Sequence, residues 1–184
     1  MKVLCVDTTT DRIVLALFVD GNKYYFIGEK GCKKHNAVLL EEIDTILREN
    51  GVDVNEIDYF GVCIGPGSFT GIRIGVATIN AFALALGRSV AEVTSLEIED
   101  DGTDKLVLLS CGHGNYYVGR FGEKTEYFDL SGEELDKIDM KKVFIEETDA
   151  EKFLNKVLTK ISDEQFVEQA RPFYLKKSSA ERNE

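Results

Sequence analysis

The stretch that decides the fold reads Gly65-Pro66-Gly67-Ser68-Phe69-Thr70-Gly71-Ile72-Arg73-Ile74-Gly75, and it joins a strand-like run to a long apolar segment. Pro66 fixes its backbone φ, while Gly65 and Gly67 permit backbone angles that side chains forbid, so a sharp turn is expected there. Two hydroxyl residues are placed to cap a helix after the turn: Ser68 and Thr70. The stretch therefore predicts a strand, a turn and a helix in succession.

Three glycines of this stretch, Gly67, Gly71 and Gly75, recur every fourth residue and would share one face of the helix. A glycine-rich turn before a helix is also a common binding site for phosphate. Here Ile72 follows Gly71 where a Walker loop requires lysine, and Thr70 stands where a dinucleotide-binding motif requires glycine. Because each helical glycine costs roughly 1 kcal/mol relative to alanine, the stripe favours the close approach of another backbone over anion binding.

Length and composition bound the class of protein. The chain has 184 residues, of which 43% are hydrophobic, enough for one core or for two small lobes that share an interface. No apolar run reaches the roughly 18 residues that span a membrane, and the N-terminus lacks the features of a signal peptide. The cysteines show no CxxC or metal-type spacing, which predicts reduced thiols at Cys5, Cys32, Cys63 and Cys111. We therefore expect a globular cytoplasmic protein.

The chain is strongly acidic. Lys and Arg number 22 against 33 Asp and Glu, which gives a formal net charge of −11. A protein of this charge binds the phosphate backbone of nucleic acids poorly. Any contact with nucleic acid is therefore expected to come mainly through a partner protein.

Apolar runs and turn residues predict the order of strands and helices. In the first half we expect a three-stranded meander, a helix, a fourth strand, the apolar helix and a fifth strand, at about 3–8, 13–19, 23–27, 34–50, 58–64, 70–86 and 89–93. In the second half we expect strands at 105–110, 116–121, 124–129 and 143–146, a helix at 150–161 and an extended piece at 171–175. The acidic segment 97–104 marks a boundary between two lobes, and no internal repeat is found.

The apolar helix carries hardly any charge beyond Arg73. A helix that is apolar nearly all round is buried on more than one side. In a chain of this size, a partner protein is a natural way to cover the second side.

The first strand ends in Asp7-Thr8-Thr9-Thr10, a carboxyl group followed by three hydroxyls. Such residues commonly make hydrogen bonds within a turn. The same groups are able to orient a phosphate or the water bound to its metal ion. The residues alone leave both roles open and favour the first.

The histidines do not predict a metal site. His35 stands at the start of the first helix, and Leu39 follows four residues later in place of a second ligand. One imidazole does not hold a catalytic metal ion. Cys111 and His113 have the spacing of a nucleophile and a base, but the glycines beside them predict a loop and no third group orients the pair, so a structural role is favoured.

These motifs in order resemble the TsaB (YeaZ) family, bacterial proteins of tRNA threonylcarbamoyladenosine (t6A) biosynthesis. The resemblance rests on the Asp-Thr-Thr-Thr cluster, the helix opened by His35, the stretch at 65–75 and a terminal Pro-Phe-Tyr-Leu-Lys at 172–176. It covers residues 1 to about 96 and the tail. The family is glycoprotease-like, with inactive M22 peptidase homologues, and peptidase activity is not expected here because the metal ligands are incomplete.

The resemblance implies an α/β fold of the actin-like ATPase and ribonuclease H-like (ASKHA) class, in which two lobes of mixed β-sheet are flanked by helices. We assign 1–96 to an N-terminal lobe and 97–184 to a short C-terminal lobe whose tail returns towards the first. Most relatives are longer, so the second lobe is expected to be shortened.

The resemblance also implies a non-catalytic subunit that forms a heterodimer with the catalytic sister protein TsaD. The ATPase TsaE joins this complex, and TsaD transfers threonylcarbamoyl to adenosine 37 of tRNAs that read ANN codons. ATP and metal are expected on the partner proteins, and no cofactor is expected on this subunit. Contact with tRNA is expected to be indirect. A homodimer is possible when the chain is alone. The alternative is an autonomous ASKHA-type nucleotide-binding phosphotransferase or ATPase that uses Asp7.

The partner interface is expected on the glycine-rich stretch and its helix, where the glycines would let two helices meet closely. The expected interface residues are Gly65, Pro66, Gly67, Ser68, Phe69, Thr70, Gly71, Arg73, Gly75, Thr78 and Ala81. A vestigial nucleotide contact is expected at Asp7, Thr8, Thr9 and Thr10. Gly75→Leu or Ala81→Arg is therefore expected to prevent partner binding and to leave the monomer folded.

Overall fold

The structure, a computed structural model, describes residues 1–31 and 35–175, without the side chains of 35–37. Its strands are β1 (Lys2–Asp7), β2 (Val14–Val19), β3 (Asn22–Ile27), β4 (Tyr59–Gly65), β5 (Ser89–Thr94), β6 (Lys105–Gly112), β7 (Asn115–Phe121), β8 (Glu126–Ser131) and β9 (Lys142–Ile145). Its helices are α1 (His35–Glu49), α2 (Phe69–Leu86), α3 (Gly132–Leu135) and α4 (Ala150–Ser162). Every predicted strand and helix is found with small shifts at its ends, and only the short α3 was not predicted. The predicted helix start at Lys34, Cys32 and the polar tail from Lys176 lie outside the described residues.

The first sheet has the strand order β3-β2-β1-β4-β5. Strands β1, β2 and β3 form an antiparallel meander, and β4 and β5 continue the sheet in parallel with β1. The central strand β1 is apolar along nearly its whole length because both of its faces are covered. Helices α1 and α2 pack on one face, and α4 packs on the other through Phe153, Leu154 and Val157.

The second sheet has the order β8-β7-β6-β9. It repeats the topology of the first sheet, because β6, β7 and β8 form an antiparallel meander and β9 lies parallel to β6. Helix α3 stands where α1 stands in the first sheet. The two sheets thus repeat one topology without a repeat in the sequence.

We call the first sheet with α1, α2 and α4 the first lobe, and the second sheet with α3 the second lobe. Helix α4 comes from the C-terminal half of the chain and packs on the first sheet. A division of the chain at residue 97 therefore separates the two sheets but not the helix layers, and the boundary itself stays a prediction.

Helix α2 corrects two expectations. It has 18 residues with a mean hydropathy of 1.5, so by length and composition it is apolar enough to cross a membrane, contrary to the prediction that no such run occurs. The core helix of a soluble protein meets the same criterion, and the inner face of α2 packs on the first sheet. Within the described chain the face of α2 that carries Ala77, Ala81 and Leu84 is exposed, so the expected burial of this face is not met by the chain alone, and its cover by a partner stays a prediction.

Candidate functional site

The glycine-rich stretch forms the predicted turn between β4 and α2. The Gly65–Pro66 peptide bond is cis, and Gly65 has φ of 106°, a backbone angle that favours glycine. Ser68 caps α2, since its hydroxyl accepts a hydrogen bond from the amide of Gly71 at 3.2 Å. The amide of Ser68 donates to the carbonyl of Thr9 at 2.7 Å, which ties the turn to the end of β1.

The glycines of the stripe do permit the close approach of another backbone, but that backbone belongs to the same chain. A Cβ atom added at Gly67 or Gly71 would overlap with the carbonyl oxygen of Thr9 or Thr8, and one at Gly75 would overlap with the hydroxyl of Thr8. The hydroxyl of Thr8 also donates to the carbonyl of Gly71 at 2.7 Å. The expectation that these glycines let two helices meet is therefore wrong. Gly75→Leu would disturb the monomer itself and is no test of partner binding.

Asp7 lies beneath this turn and is 1% exposed. One of its carboxyl oxygens accepts from the amide of Thr9 at 2.7 Å, and the other accepts from the hydroxyl of Thr148 at 2.6 Å. Both oxygens are thus engaged by the chain. This arrangement fits the turn role that the residues alone favoured, and the nucleotide contact at Asp7 stays a prediction.

A buried polar network extends from the same place. The hydroxyl of Ser95 donates to the carbonyl of Pro66 at 2.7 Å and lies 3.3 Å from the thiol of Cys63. Burial raises the pKa of the Cys63 thiol well above its ordinary value, so the thiol stays protonated and behaves as a small apolar group. The network therefore holds the turn in place and does not supply a nucleophile.

A cleft of about 590 Å³ separates the two lobes above the turn. Its first-lobe wall carries Thr10 and Lys30, and its second-lobe wall carries Ser110 and Glu146. Ion pairs cross between the lobes beside it, because Glu147 lies 3.2 Å from Arg12 and 3.7 Å from Lys30. The cleft is lined by polar and apolar side chains and carries charges of both signs, at Lys30 and Glu146. The predicted nucleotide contacts at Asp7, Thr8, Thr9 and Thr10 stay a prediction.

The outer face of α2 is the exposed apolar surface nearest to the motif. Leu84 is 85% exposed, and Ala77 and Ala81 are exposed on the same side of the helix. At the N-terminal end of this face, the guanidinium carbon of Arg73 lies 3.9 Å above the ring of Phe69. Apolar surface on a helix that is packed on one side only is typical of protein–protein contacts.

The predicted interface residues divide into two groups. The buried ones, which shape the chain's own turn, are Gly65, Pro66, Gly71 and Gly75. The exposed or half-buried ones, whose role in partner binding stays a prediction, are Gly67, Ser68, Phe69, Thr70, Arg73, Thr78 and Ala81. Leu84 was missed, although its spacing from Ala77 and Ala81 places it on the same helix face. Thr148 was also missed, and no local signal in the sequence indicates its contact with Asp7.

Metal-ligating side chains do not converge in the part of the chain that the structure describes, where no three His, Cys, Asp or Glu residues form a possible metal site. The side chain of His35 is outside the described residues, and the Leu39 side chain is buried in the first core. Cys111 lies in the last part of β6 and His113 in the following turn, with φ of 54°. The predicted absence of a metal on this subunit stays a prediction.

Comparisons with known proteins agree with the resemblance. The model of the family described as TsaD, tRNA N6-adenosine threonylcarbamoyltransferase, matches residues 26–141. The TsaB protein of Haemophilus influenzae is 32% identical over 96 residues, which are 52% of this chain and 40% of that protein. The TsaB protein of Escherichia coli K12 is 32% identical over 98 residues, which are 52% of this chain and 41% of that protein. The chain thus matches less than half the length of these curated relatives.

Two solved structures from Pseudomonas aeruginosa have the same fold. One, described as similar to the peptidase YeaZ, has a TM-score of 0.80 at 21% identity and covers 95% of this chain and 99% of its own. The other, YeaZ, has a TM-score of 0.76 at 22% identity with the same coverage. The predicted α/β fold with two mixed β-sheets flanked by helices is confirmed. Because the TsaD family model covers more than half of the chain, the chain belongs to the TsaD family of proteins, and it is similar to the TsaB (YeaZ) proteins named above.

Proposed function

We propose that this protein is the non-catalytic subunit of a complex that makes t6A in tRNA, and that it binds TsaD directly through the outer face of α2. TsaD transfers the threonylcarbamoyl group to adenosine 37 of tRNAs that read ANN codons, and TsaE joins the complex. In this proposal the partner proteins bind ATP and metal. They also bind the tRNA, since this chain is acidic. The complex acts in the cytoplasm. The names of the curated relatives support the pathway.

The observation that carries the proposal is the open apolar face of α2. The helix packs its inner face on the first sheet and leaves Ala77, Ala81 and Leu84 in solvent. Alanines keep this face flat, so another helix could approach along its whole length, and Leu84 supplies apolar area at one end. A second copy of the chain would find the same surface when TsaD is absent, because a symmetric dimer uses one patch on both subunits.

Two features of the chain support a non-catalytic role. Asp7 is 1% exposed and each of its carboxyl oxygens accepts a hydrogen bond within the chain, which favours a structural role for this carboxyl group over cation binding. Leu39 occupies the position four residues after His35, where a second metal ligand would stand, and its side chain belongs to the first core. Chemistry that needs these ligands would therefore take place on another subunit.

Co-purification with TsaD of the same organism tests the proposal. We expect wild type to bind, and Ala81→Arg and Leu84→Asp each to weaken binding at least tenfold, because both place a charge in an apolar contact. Thr159→Arg is the matched control, since Thr159 is exposed on α4 at the opposite face of the first sheet. Undiminished binding by both α2 variants, with unchanged thermal stability, would reject the interface. Reconstituted t6A synthesis is expected to stop when this subunit is omitted.

The alternative is an autonomous ASKHA-type phosphotransferase or ATPase. It would be favoured by metal-dependent ATP turnover of the purified chain that is lost in Asp7→Asn. It would also need Thr148 to release the Asp7 carboxyl group. A gel shift of tRNA by this chain alone, lost at higher salt, would argue against indirect tRNA contact.

A further inference from the structure

The last described segment, residues 167–175, crosses the first lobe as a strap. Val90 and Val167 exchange two backbone hydrogen bonds of 2.8 Å, which adds one bridge to the edge of β5. The side-chain amide of Asn80 on α2 donates to the carbonyl of Ala170 at 2.9 Å and accepts from its amide at 2.8 Å. The strap is thus fixed to the edge strand and to the central part of α2.

The end of the strap contacts three different parts of the molecule through three consecutive residues. The amide of Phe173 donates to the carbonyl of Ile64 at 2.8 Å, and its ring packs edge-on against Tyr127 of β8 with centroids 5.2 Å apart. Tyr174 turns to the opposite side, where its ring lies 5.0 Å from that of Phe69. Leu175 packs into the apolar core under the second sheet. One short piece of chain therefore links the α2 face to the second lobe.

Tyr174 is part of the exposed surface at the start of α2. Its hydroxyl accepts a hydrogen bond from Nε of Arg73 at 3.1 Å, and Tyr174 and Phe69 are 37% and 38% exposed. Two aromatic rings in contact, with an arginine above one of them, are a composition typical of the strongest contacts in protein interfaces. A partner on α2 would therefore touch the strap as well as the helix.

Tyr127 is the contact of the strap in the second lobe, and it also touches the connection between the lobes. Its hydroxyl lies 3.3 Å from that of Thr94 and donates to Glu97 at 3.2 Å. Glu97 in turn pairs with Lys160 of α4 at 2.6 Å. The ring of Tyr127 thus packs against the strap, while its hydroxyl makes hydrogen bonds to the segment that leads from β5 to β6.

We propose that the strap couples the α2 docking face to the position of the second lobe. A partner that shifts the backbone at Tyr174 also shifts Phe173 and Leu175, because planar peptide bonds join the three residues directly. Those neighbours hold β8 and the core under the second sheet, so the lobe responds and the cleft between the lobes changes width. This inference rests on the proposed docking of TsaD at α2.

Amide exchange of the isolated protein tests the coupling without a partner. In Tyr174→Ala and in Leu175→Ala we expect exchange of β8 to rise about threefold to tenfold, the effect of losing one aromatic or aliphatic contact in a locally opening unit. Exchange in the buried half of α2 is expected to stay unchanged. Phe166→Ala, which removes a ring contact with Tyr59 upstream of the strap, is the control and should leave β8 unchanged.

Unchanged exchange of β8 in Tyr174→Ala would overturn the coupling, and so would an equal rise throughout the chain, which indicates general destabilisation. Should Leu175→Ala fail to fold, Tyr127→Phe replaces it, because this variant keeps the ring and removes only the hydroxyl contacts. Its expected signature is faster exchange at residues 97–99.

Exchange in the complex with TsaD tests the coupling in its functional setting. Wild type is expected to change its β8 exchange by threefold or more on binding, and Tyr174→Ala at saturating TsaD is expected to show no such change. The coupling would be contradicted if TsaD binding leaves the β8 exchange rate of wild type unchanged. It would also be contradicted if TsaD binding still changes that rate in Tyr174→Ala. If wild type does not bind TsaD, the proposed function fails, and the measurements on the isolated protein decide the coupling by themselves.

Discussion

The two lobes share one topology and differ in how much of it they build. The first lobe has five strands and places the 15-residue α1 after its meander, whereas the second has four strands and places the 4-residue α3 there. The first sheet is covered by helices on both faces. The second sheet is covered by α3 on one face and by Leu96 and the strap on the other. The second lobe therefore depends for its core on segments that belong to the first.

This difference shows how a small lobe remains folded. A four-stranded sheet with a single helical turn buries little apolar area by itself. Leu96 and Leu175 fill the uncovered face, and both residues come from segments anchored to the first lobe. The four predictions that follow compare contacts of the two lobes, from the largest expected effect to the smallest.

Removal of a large side chain from the α4 layer is expected to have the largest effect. Phe153 is fully buried between α4 and the first sheet, so Phe153→Ala should reduce the free energy of unfolding by about 3–5 kcal/mol. Leu135→Ala in α3 should reduce it by only about 2 kcal/mol, because one turn of helix can move into the space. Urea unfolding measures both, and equal losses would contradict the difference between the two helix layers.

A methyl group in the glycine stripe is expected to cost about 2–3 kcal/mol. In Gly71→Ala the new Cβ would overlap with the carbonyl oxygen of Thr8. The turn after β1 would have to move to make room, and this would break the hydrogen bond from the Thr8 hydroxyl to the carbonyl of Gly71. Ala77→Ser on the exposed side of the same helix is the control, with an expected change within about 0.5 kcal/mol. A thermal unfolding series of the two variants checks the contrast. Equal stability of Gly71→Ala and wild type would show that β1 and α2 are not in such close contact.

Loss of the Asp7 carboxyl group should have a somewhat smaller effect. Asp7→Ala leaves the amide of Thr9 and the hydroxyl of Thr148 without this acceptor in a buried place, which should cost about 2 kcal/mol. Thr148→Val removes one of the two hydrogen bonds and should cost about 1 kcal/mol. The double variant should lose less than the sum, since the two residues share a bond. Strict additivity in urea unfolding would show that the bond contributes nothing.

The smallest effect is expected at alkaline pH. Burial raises the pKa of the Tyr127 phenol from 10.0 to about 12. A group whose pKa is higher in the folded state contributes stability below pH 10, and this contribution disappears as the pH rises through about 12. As the pH rises through this range, Tyr127→Phe should therefore lose less free energy of unfolding than wild type. Parallel curves of unfolding midpoint against pH for the two proteins would show that Tyr127 is not buried as described.

Local chemistry predicted most of the secondary structure and the turn. Pro66 flanked by two glycines, the serine cap and the charge-free helix are signals within a few residues of one another, so the strand, turn and helix at 59–86 follow from the sequence. The same holds for the three-stranded meander of the first sheet, whose strands are separated by polar turns. Helix α3 was missed because one turn of helix is too short to show an apolar period.

The sequence by itself determined the order of the elements, the need for close backbone approach at Gly67, Gly71 and Gly75, and the resemblance to TsaB proteins. Only the tertiary structure decided which backbone approaches the glycines, because Thr8 lies 63 residues from Gly71 in the chain. It likewise decided that Thr148 engages Asp7 and that Phe173, Tyr174 and Leu175 join both lobes. These contacts link segments far apart in sequence, and no local preference of either segment specifies its distant partner. Packing of the whole chain brings them together.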